Sequence, residues 1–535
     1  MAARSPSVLN FAISSTRGKL KKQLKSIPVI DLFAGPGGLS EGFSSVVDDF
    51  GTRRFHVKVS IEKDPVAHQT LTLRSLFRFF PKGEVPHTYY NYIRGEISRD
   101  EFFKHQSVQD ALTHARGEAR LAELGTTPSI VTDKWIADAL EGTTDWALIG
   151  GPPCQAYSIA GRARMGGNVD FKEDKRHFLY KEYLRIIEKF RPAVFIMENV
   201  KGMLTSQHGG SPIFDRIIAD LTDPASDLSY RVRSLVVEDE NVEPHDFVIK
   251  AEKYGIPQRR HRVILFGIRS DVALDTSALA NNPARFKLKQ ANGQVSIKTA
   301  LAGLPSIRSY ISRRNDSLEE WRSVLKNSPE VLSGWNDSRR RAFEFAMKAA
   351  ARMATAHESS GAAFIEMNVN CRADMPKALA DWYHDTKILG TVQHMARGHM
   401  ASDLRRYLFA ACFAASENCS PRIQDFPQSL LPEHANINGT SVPFVDRFRV
   451  QLANEPSTTV TSHISKDGHY YIHFDPSQCR SLSVREAARL QTFPDNYFFE
   501  GGRTMQFHQV GNAVPPLLAR QIAEVVSDFL TASGR

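Results

Sequence analysis

The chain has 535 residues, 42% of them hydrophobic and 24% charged, a composition typical of a globular protein with two or three domains. Its net charge of +9 favours a polyanionic partner. The five cysteines lack C-x-x-C spacing, so neither a disulfide framework nor a metal site is predicted. No stretch has the length and apolarity of a membrane span or the pattern of a signal peptide, which argues against membrane and secreted classes and favours a reducing, intracellular setting.

A basic arm spans residues 1–27, and regular structure is predicted from Pro28 onward. Three elements follow: a buried strand at Val29–Phe33, a glycine-rich turn into a helix at Ala34–Gly38, and a second strand at Val57–Ile61. With Glu62 at its end, this order is typical of a nucleotide-binding α/β sheet. Ser40 stands where a dinucleotide-binding turn has its third glycine, so a ligand without phosphates, such as S-adenosylmethionine, is an alternative, with Glu62 at its ribose.

Further strands and helices alternate along the next 200 residues. Strands are predicted near Ile130–Val131, at Ala147–Ile149, at Ala193–Met197, from Tyr230 to Val237 and at Val263–Phe266, with a helix from Leu179 to Phe190. This alternation predicts a mostly parallel, doubly wound sheet. The stretch from about 66 to 125 has helical periodicity and no assignable function. Residues 271–455 are irregular and rich in basic clusters, which predicts a second, smaller domain, and residues 456–535 return to helices at Val484–Leu490 and Pro515–Leu530.

Cys154 follows a stiff loop, Gly150–Pro153, at the end of a predicted strand. Strand ends at the carboxyl edge of such a sheet open into the ligand crevice, and a thiol held there is suited to act as a nucleophile. A buried structural cysteine is the alternative. The polar residues that follow, Gln155 and Ser158 among them, favour the nucleophile.

Two further groups are predicted at the same edge. Glu198 ends another strand, although a solvated loop acid is the usual fate of a glutamate. The segment Gln258–Arg262 precedes a further strand, and its alternation places Gln258, Arg260 and Arg262 on one side. Two guanidiniums beside a nucleophile suit an anionic backbone or a ring oxygen, whereas a solvated basic strand is the alternative.

Six ordered segments closely resemble the motifs of the DNA (cytosine-5) methyltransferases. They are Asp31–Gly38, Gly151–Gln155, Glu198–Val200, Gln258–Arg262, Arg485–Pro494 and Gln509–Pro516. The resemblance covers roughly residues 28–270 and 455–530. It implies a Rossmann-like, S-adenosylmethionine-dependent methyltransferase domain at 28–270 and 456–535, with an insertion at about 66–125 and a target-recognition domain at 271–455.

The resemblance also implies a role for each motif residue. Cys154 would add to carbon 6 of a flipped cytosine, with Glu198, Arg260 and Arg262 holding the ring. The implied cofactor-binding residues are Phe33, Gly35, Gly37, Leu39, Glu62, Asp133, Asn512 and Val514. Asp133 is the predicted acid that contacts the adenine of the cofactor, and Glu96 is the alternative. The implied DNA-binding residues are Gln155, Ser158, Arg162, Arg164 and Gln258.

The expected activity is methyl transfer from S-adenosylmethionine to carbon 5 of cytosine in a specific double-stranded DNA sequence, within a restriction-modification system or as an orphan methylase. A tRNA cytosine-5 methyltransferase of the same fold and a catalytically silent DNA-binding member are the alternatives. The large basic region favours DNA over RNA. We further expect a prokaryotic, cytoplasmic, nucleoid-associated monomer without a metal, with a cognate restriction endonuclease as a possible partner.

Overall fold

The computed structural model describes residues 24–153, 179–208, 211–238, 242–274, 283–313, 315–367, 375–432 and 446–535. The strands are β1 (Ile27–Leu32), β2 (Phe55–Glu62), β3 (Ala119–Leu121), β4 (Ala147–Gly150), β5 (Val194–Val200), β6 (Gln207–His208), β7 (Ser211–Pro212), β8 (Tyr230–Arg233), β9 (Val248–Lys250), β10 (Gln258–Arg259), β11 (His261–Arg269), β12 (Tyr310–Ile311), β13 (Gly361–Glu366), β14 (Gly390–Met395), β15 (Gly398–His399) and β16 (Ser457–Thr458). The helices are α1 (Gly38–Ser44), α2 (Pro65–Phe79), α3 (His87–Arg94), α4 (Arg99–Lys104), α5 (Gln109–Glu118), α6 (Ser129–Leu140), α7 (Leu179–Phe190), α8 (Ile213–Thr222), α9 (Ser270–Leu274), α10 (Ile297–Leu301), α11 (Leu318–Asn327), α12 (Arg340–Met353), α13 (Lys377–Tyr383), α14 (Ala401–Glu417), α15 (Val484–Leu490), α16 (Arg503–Asn512) and α17 (Pro516–Ala532). Within these ranges, no helix combines the length and apolarity that a membrane crossing requires.

The central sheet has the strand order β3-β2-β1-β4-β5-β11-β8, with β9 paired to the start of β11. Strands β1 to β5 are parallel to one another, whereas β11 runs antiparallel to β5, β8 and β9. The predicted mostly parallel α/β sheet is therefore confirmed. Because β11 is reversed, its amino end lies at the edge where β1, β2, β4 and β5 have their carboxyl ends.

Both faces of the sheet are covered by helices. One face packs with α1 and α17 around buried residues such as Val29, Phe43 and Ile522. The other face packs with α6, α7 and α8 around Trp146, Ile187 and others. The long apolar runs of β1, β4 and β5 follow from this arrangement, since strands covered on both faces have no need for alternating polar residues.

Two predicted elements differ in the structure. Ile130–Val131 belongs to helix α6 and is largely exposed, so the predicted strand there was wrong. The region expected to be irregular contains several helices, and three of them, α11, α12 and α14, pack around a core that includes Trp321, Phe343 and Phe409. The buried residues of α12, Phe343, Met347 and Ala350, lie at helical spacing, a periodicity that the sequence-based prediction missed.

The segment from α2 to β3 extends the sheet and joins it to the second half of the chain. Strand β3 adds the edge strand beside β2. The core formed by α2, α3 and α5 also includes Ile388 and Val392, which come from the region after α13. Tyr90 strengthens this contact, because its hydroxyl donates to Asp385 at 2.7 Å. Residues 66–125, to which the sequence assigned no function, thus connect the edge of the central sheet to the region after α13.

Candidate active site

A cavity of about 490 Å³ opens at the carboxyl edge of the sheet. The turn after β1, the end of β2, the start of the cysteine loop after β4, the end of β5 and the start of β11 all line it. The segment 461–463 and helix α16 close it from the side of the returning chain. The predicted site residues among its lining are Phe33, Gly35, Glu62, Glu198, Arg260, Arg262 and Asn512.

The turn after β1 is shaped for close approach of a ligand. Phe33, Gly35 and Gly37 have φ angles of 56°, 57° and 95°, in the left-handed region that glycine adopts most readily. Glu62 holds this turn, because its Oε2 accepts from the Gly35 amide at 2.7 Å and its Oε1 accepts from the Asp64 amide at 2.7 Å. Burial raises the pKa of the Glu62 carboxyl, while these two donors oppose the rise. Each carboxylate oxygen keeps a second lone pair for a ligand hydroxyl.

Ser40, the departure from the dinucleotide pattern, has a structural partner directly beneath the turn. Its hydroxyl donates to Asp31 Oδ2 at 2.5 Å, and both residues are fully buried. Burial raises the pKa of Asp31 to about 7, although the hydrogen bond from Ser40 lowers it. The Ser40 hydroxyl therefore links the start of α1 to β1 by a hydrogen bond that a glycine at this position could not form.

Other predicted cofactor residues lie behind the lining rather than in it. Leu39 and Val514 are buried in the core beneath the turn. A Cβ atom on Gly38 would come within 2.2 Å of the Val514 carbonyl oxygen, so the last motif packs directly against the first. Gly37 likewise faces buried side chains, with Leu71 Cδ1 at 2.9 Å from its would-be Cβ. These residues can shape the turn but do not line the cavity.

Glu198 and Arg262 form an ion pair inside the cavity. Their Oε1 and Nε atoms are 2.8 Å apart, with 14% and 16% of the respective side chains exposed. The pairing follows from the reversed β11, which places Arg262 opposite Val200. A Cβ on Gly151 would lie 2.9 Å from Glu198 Oε2, so a side chain there would collide with this carboxylate.

Arg260 lies deeper, fully enclosed beside the same pair. Its Nη1 donates to the carbonyl oxygens of Val460 at 3.0 Å and Gly511 at 3.3 Å, which ties the returning chain to the sheet. Burial, together with the nearby charge of Arg262, lowers the pKa of this guanidinium to about 9. Arg260 therefore remains charged at neutral pH.

Gln258 is not placed to contact DNA, which corrects the sequence-based prediction. Its side chain is completely buried, and its amide donates to the Leu490 carbonyl at 3.1 Å and to Gln491 Oε1 at 2.8 Å. Its own carbonyl accepts from the Val460 amide at 2.6 Å. Gln258 thus braces the returning segment against α15, a role that depends on residues more than 200 positions away.

Asp133 is likewise not at the cavity. It lies on α6, where its carboxylate accepts from Arg185 at 2.8 Å and from Lys189 at 2.7 Å. Glu96, its competitor, is paired with Arg94 at the surface. The cavity is lined instead by residues 122–124, which follow β3, and among them Glu123 is the acid. The short strand β3 was hidden within a stretch of helical periodicity, so the sequence offered no signal for it.

Cys154 and the predicted DNA contacts Gln155, Ser158, Arg162 and Arg164 lie outside the described residues. The structure describes the loop as far as Pro153, and Gly151, Pro152 and Pro153 all line the cavity. His463 and His508 also line it, and no motif in the sequence pointed to them.

The sheet, its glycine turn and the acidic strand ends define an α/β methyltransferase with a cysteine loop at the edge of its cavity. The chain matches the family described as C-5 cytosine-specific DNA methylase over residues 136–528. It belongs to this family and is a DNA cytosine-5 methyltransferase of the type II restriction-modification group.

Relatives agree with this placement. The chain is 30% identical to the type II methyltransferase M.Bpa9945I of Bacillus paralicheniformis over 94% of its own length and 99% of that protein. It is 28% identical to M.AgeI of Thalassovita gelatinovora, over 71% of this chain and 82% of that one. A solved structure described as a DNA modification methyltransferase encoded within an E. coli prophage shares the fold, with a TM-score of 0.51 and 19% identity over 95% of this chain and 100% of the other. The DNA-directed prediction is therefore favoured over the tRNA-directed and silent alternatives.

Proposed function

We propose that the protein transfers a methyl group from S-adenosylmethionine to carbon 5 of a cytosine in a specific double-stranded DNA sequence, with Cys154 as the nucleophile. The observation that carries this proposal is a single cavity that joins the turn after β1, the Glu198–Arg262 pair and the first residues of the cysteine loop. A cofactor and a substrate base can therefore meet at one place.

The residues of the cavity fit S-adenosylmethionine. The turn offers backbone without a side chain at Gly35, where a Cβ would meet no atom within 4 Å. Glu62 would present its carboxylate oxygens to the ribose hydroxyls, and Asn512 would offer a polar side chain from α16, since both residues line the cavity. Glu123, rather than Asp133, would contact the adenine, because Glu123 lines the cavity. S-adenosylmethionine would supply an electrophilic methyl group.

Cytosine carbon 5 is a weak nucleophile until a group adds at carbon 6. The Cys154 thiolate would form a bond to carbon 6, and the electron pair of the 5,6 double bond would move to carbon 5. Glu198 would hydrogen-bond the ring at N3, and its ion pair with Arg262 supports this role because it holds the carboxylate in position. Carbon 5 would use this electron pair to bond the methyl group, whose bond to the cofactor sulfonium would break and leave a neutral thioether. Loss of the proton from carbon 5 and cleavage of the bond between carbon 6 and the Cys154 sulfur would then restore the aromatic ring and the thiolate.

Carbon 6 is inaccessible within a duplex, so the target base must leave the stack. We propose that the basic second domain, residues 271–455, reads the DNA sequence, and that Gln155, Ser158, Arg162 and Arg164 contact the DNA beside the flipped base. We further propose that the enzyme acts as a monomer and protects DNA against a cognate restriction endonuclease.

The test is base-resolution mapping of 5-methylcytosine in DNA from a methylation-free bacterial host that expresses the chain. We expect methylation at one short sequence, and none in a host that expresses Cys154→Ser. Methylation that persists with Cys154→Ser would overturn the nucleophile assignment, and its absence with both proteins would overturn DNA methylation as the activity in that host.

A further inference from the structure

A second cavity, of about 200 Å³, lies beside the amino-terminal half of β2. In the described part of the chain, β3 pairs with β2 only from Ser60 to Glu62, so the edge of β2 from Phe55 to Val59 is open and forms one wall. Helices α2 and α5 contribute the other walls. Six residues of extended strand, about 20 Å, separate His56 from Glu62, so this cavity is distinct from the active site.

The lining of this second cavity is strongly basic. Its cationic and imidazole side chains are Arg53, His56, Lys58, Arg78 and His114. Glu118 is the acid among the lining residues, and it is already engaged: its Oε2 accepts from the Ser75 hydroxyl at 2.6 Å and its Oε1 from Arg78 at 2.5 Å. Within the described ranges, no carboxylate forms an ion pair with Arg53 or Lys58.

Arg53 is held in place by the backbone rather than by an acid. Its guanidinium donates to the carbonyl oxygens of Arg78 and Phe80, both at the end of α2. These bonds fix its position, and the nearby carboxylates of Glu41 and Glu118 favour its charge without forming an ion pair with it. Arg78 Nη1 is buried without a hydrogen-bond partner among the described residues, and approaches Glu41 Oε2 only at 3.8 Å.

The positive charges of these side chains lower one another's pKa values. Burial lowers the pKa of His56, and the charges of Arg53 and Lys58 lower it further. Burial lowers the pKa of Arg53 as well, and the adjacent Arg78 adds to that effect, whereas Glu41 and Glu118 oppose it. An anion in the cavity would relieve this repulsion, because opposite charge within a few Å favours the charged form of each group.

We propose that this cavity binds a phosphate-class oxyanion, held by Arg53 and Arg78 at its base and by Lys58 and His114 at its rim. Guanidinium groups match the oxygen geometry of phosphate, and a concave basic site concentrates anions. The same chemistry could come from the phosphate group of a small molecule or from a backbone phosphate of DNA that extends beyond the active site. The proposal does not depend on the proposed function.

Calorimetric titration of the full chain with inorganic phosphate, at constant ionic strength, tests the proposal. We expect saturable binding of one phosphate per chain with a Kd in the millimolar range, which corresponds to a binding free energy of about −4 kcal/mol. Lys58→Ala and His114→Ala change exposed side chains and should each weaken binding about tenfold or more. Lys104→Ala, which removes an exposed lysine on α4 outside the cavity, should leave binding unchanged.

The affinities of the variants for a short and a long target duplex distinguish a small-molecule phosphate from a DNA backbone phosphate. If the site takes a small molecule, the Lys58→Ala and His114→Ala variants will bind a short and a long target duplex as tightly as the unaltered chain does. If it takes a backbone phosphate, these variants will lose affinity for the long duplex only. Absence of saturable phosphate binding, or equal binding by all variants, would overturn the proposal.

Discussion

At the scale of single residues, the site depends on a carboxylate that is held by its neighbours. Glu198 has Arg262 on one side and the bare backbone of Gly151 on the other. Arg262 would not reach it if β11 ran parallel to β5, because it would then lie at the opposite edge of the sheet. The orientation of one strand therefore decides whether the acid has a partner.

We expect Glu198→Gln to lower the rate of methyl transfer about 100-fold or more, because the amide cannot donate and accept protons as a carboxyl can. Single-turnover assays with a target duplex would measure this rate. The matched control is Glu182→Gln, which removes a carboxylate paired with Arg185 outside the cavity and should leave the rate unchanged. A Glu198→Gln rate within about threefold of the original would contradict the assigned role.

We expect Gly151→Ala to reduce activity without unfolding the protein, because the added methyl group would lie 2.9 Å from Glu198 Oε2 and displace that carboxylate. Gly117→Ala is the control, since its Cβ would meet no atom within 4 Å. Methylation assays and thermal unfolding of both variants provide the measurement. Full activity in Gly151→Ala would show that the carboxylate tolerates displacement.

The sequence predicted that Glu198 lies at the cavity because Glu198 ends a parallel strand, and the edge of a parallel sheet collects such residues. Arg262 precedes its strand, so it reaches the same edge only because β11 is reversed. The sequence-based prediction failed for Asp133 and Gln258. Asp133 lies on helix α6, where its carboxylate pairs with two cations of α7, Arg185 and Lys189. The burial of Gln258 depends on residues of α15 and on Val460, which no local pattern could reveal.

At the scale of elements, the segment after α15 joins the second half of the chain to the turn after β1. Buried Arg485 fixes this segment by donating to the carbonyl oxygens of Pro494 at 3.2 Å and Tyr497 at 2.8 Å. From there the Tyr497 hydroxyl donates to the carbonyl oxygen of Pro36 in the turn. On the other side, Asn496 donates to Asp385 at 2.8 Å. One short segment therefore contacts both the turn and the region after α13.

We expect Tyr497→Phe to raise the KM for S-adenosylmethionine about three- to tenfold with little change in the KM for DNA, because the turn would lose a buried hydrogen bond. Tyr230→Phe is a close control, since it also removes a buried tyrosine hydroxyl that donates to a proline carbonyl, that of Pro192 at 2.8 Å. Equal effects of the two substitutions on the cofactor KM would contradict a specific role for Tyr497.

Element prediction succeeded where apolar runs or amphipathic spacing were strong. The strands β1, β2 and β4 and the helix α7 lie close to their predicted positions. It failed for β3, which has only three residues, and for the helices of the second domain, whose core forms only when α11, α12 and α14 meet. The boundaries predicted for the domains remain a prediction.

At the scale of the whole molecule, two buried histidines from distant parts of the chain, His394 and His473, lie beside the start of α15. His394 contacts the Ser483 hydroxyl and the Pro305 carbonyl, both at 2.8 Å, and burial lowers its pKa to about 4. His473 lies near Glu486, and burial lowers its pKa to about 3. Both imidazoles are therefore neutral in the folded protein throughout the physiological range.

This arrangement predicts a loss of stability in mild acid. Below pH 6.5 the unfolded chain binds protons at these histidines that the folded chain does not, so the free energy of unfolding falls as the pH drops from about 6.5 towards 4. We expect His394→Gln to flatten this dependence and His87→Gln, at an exposed position, to leave it unchanged. Denaturant titrations at several pH values would measure it, and an unaltered slope in His394→Gln would contradict the account.

The most direct test of the central claim, that Cys154 attacks the cytosine ring, is covalent trapping. A target duplex with 5-fluorocytosine carries no proton at carbon 5, so elimination cannot release the thiolate after methyl transfer. The account predicts a stable protein–DNA adduct that requires S-adenosylmethionine, with the linked peptide containing Cys154. An enzyme that methylates the ordinary duplex but forms no adduct, or forms one at another residue, would contradict it.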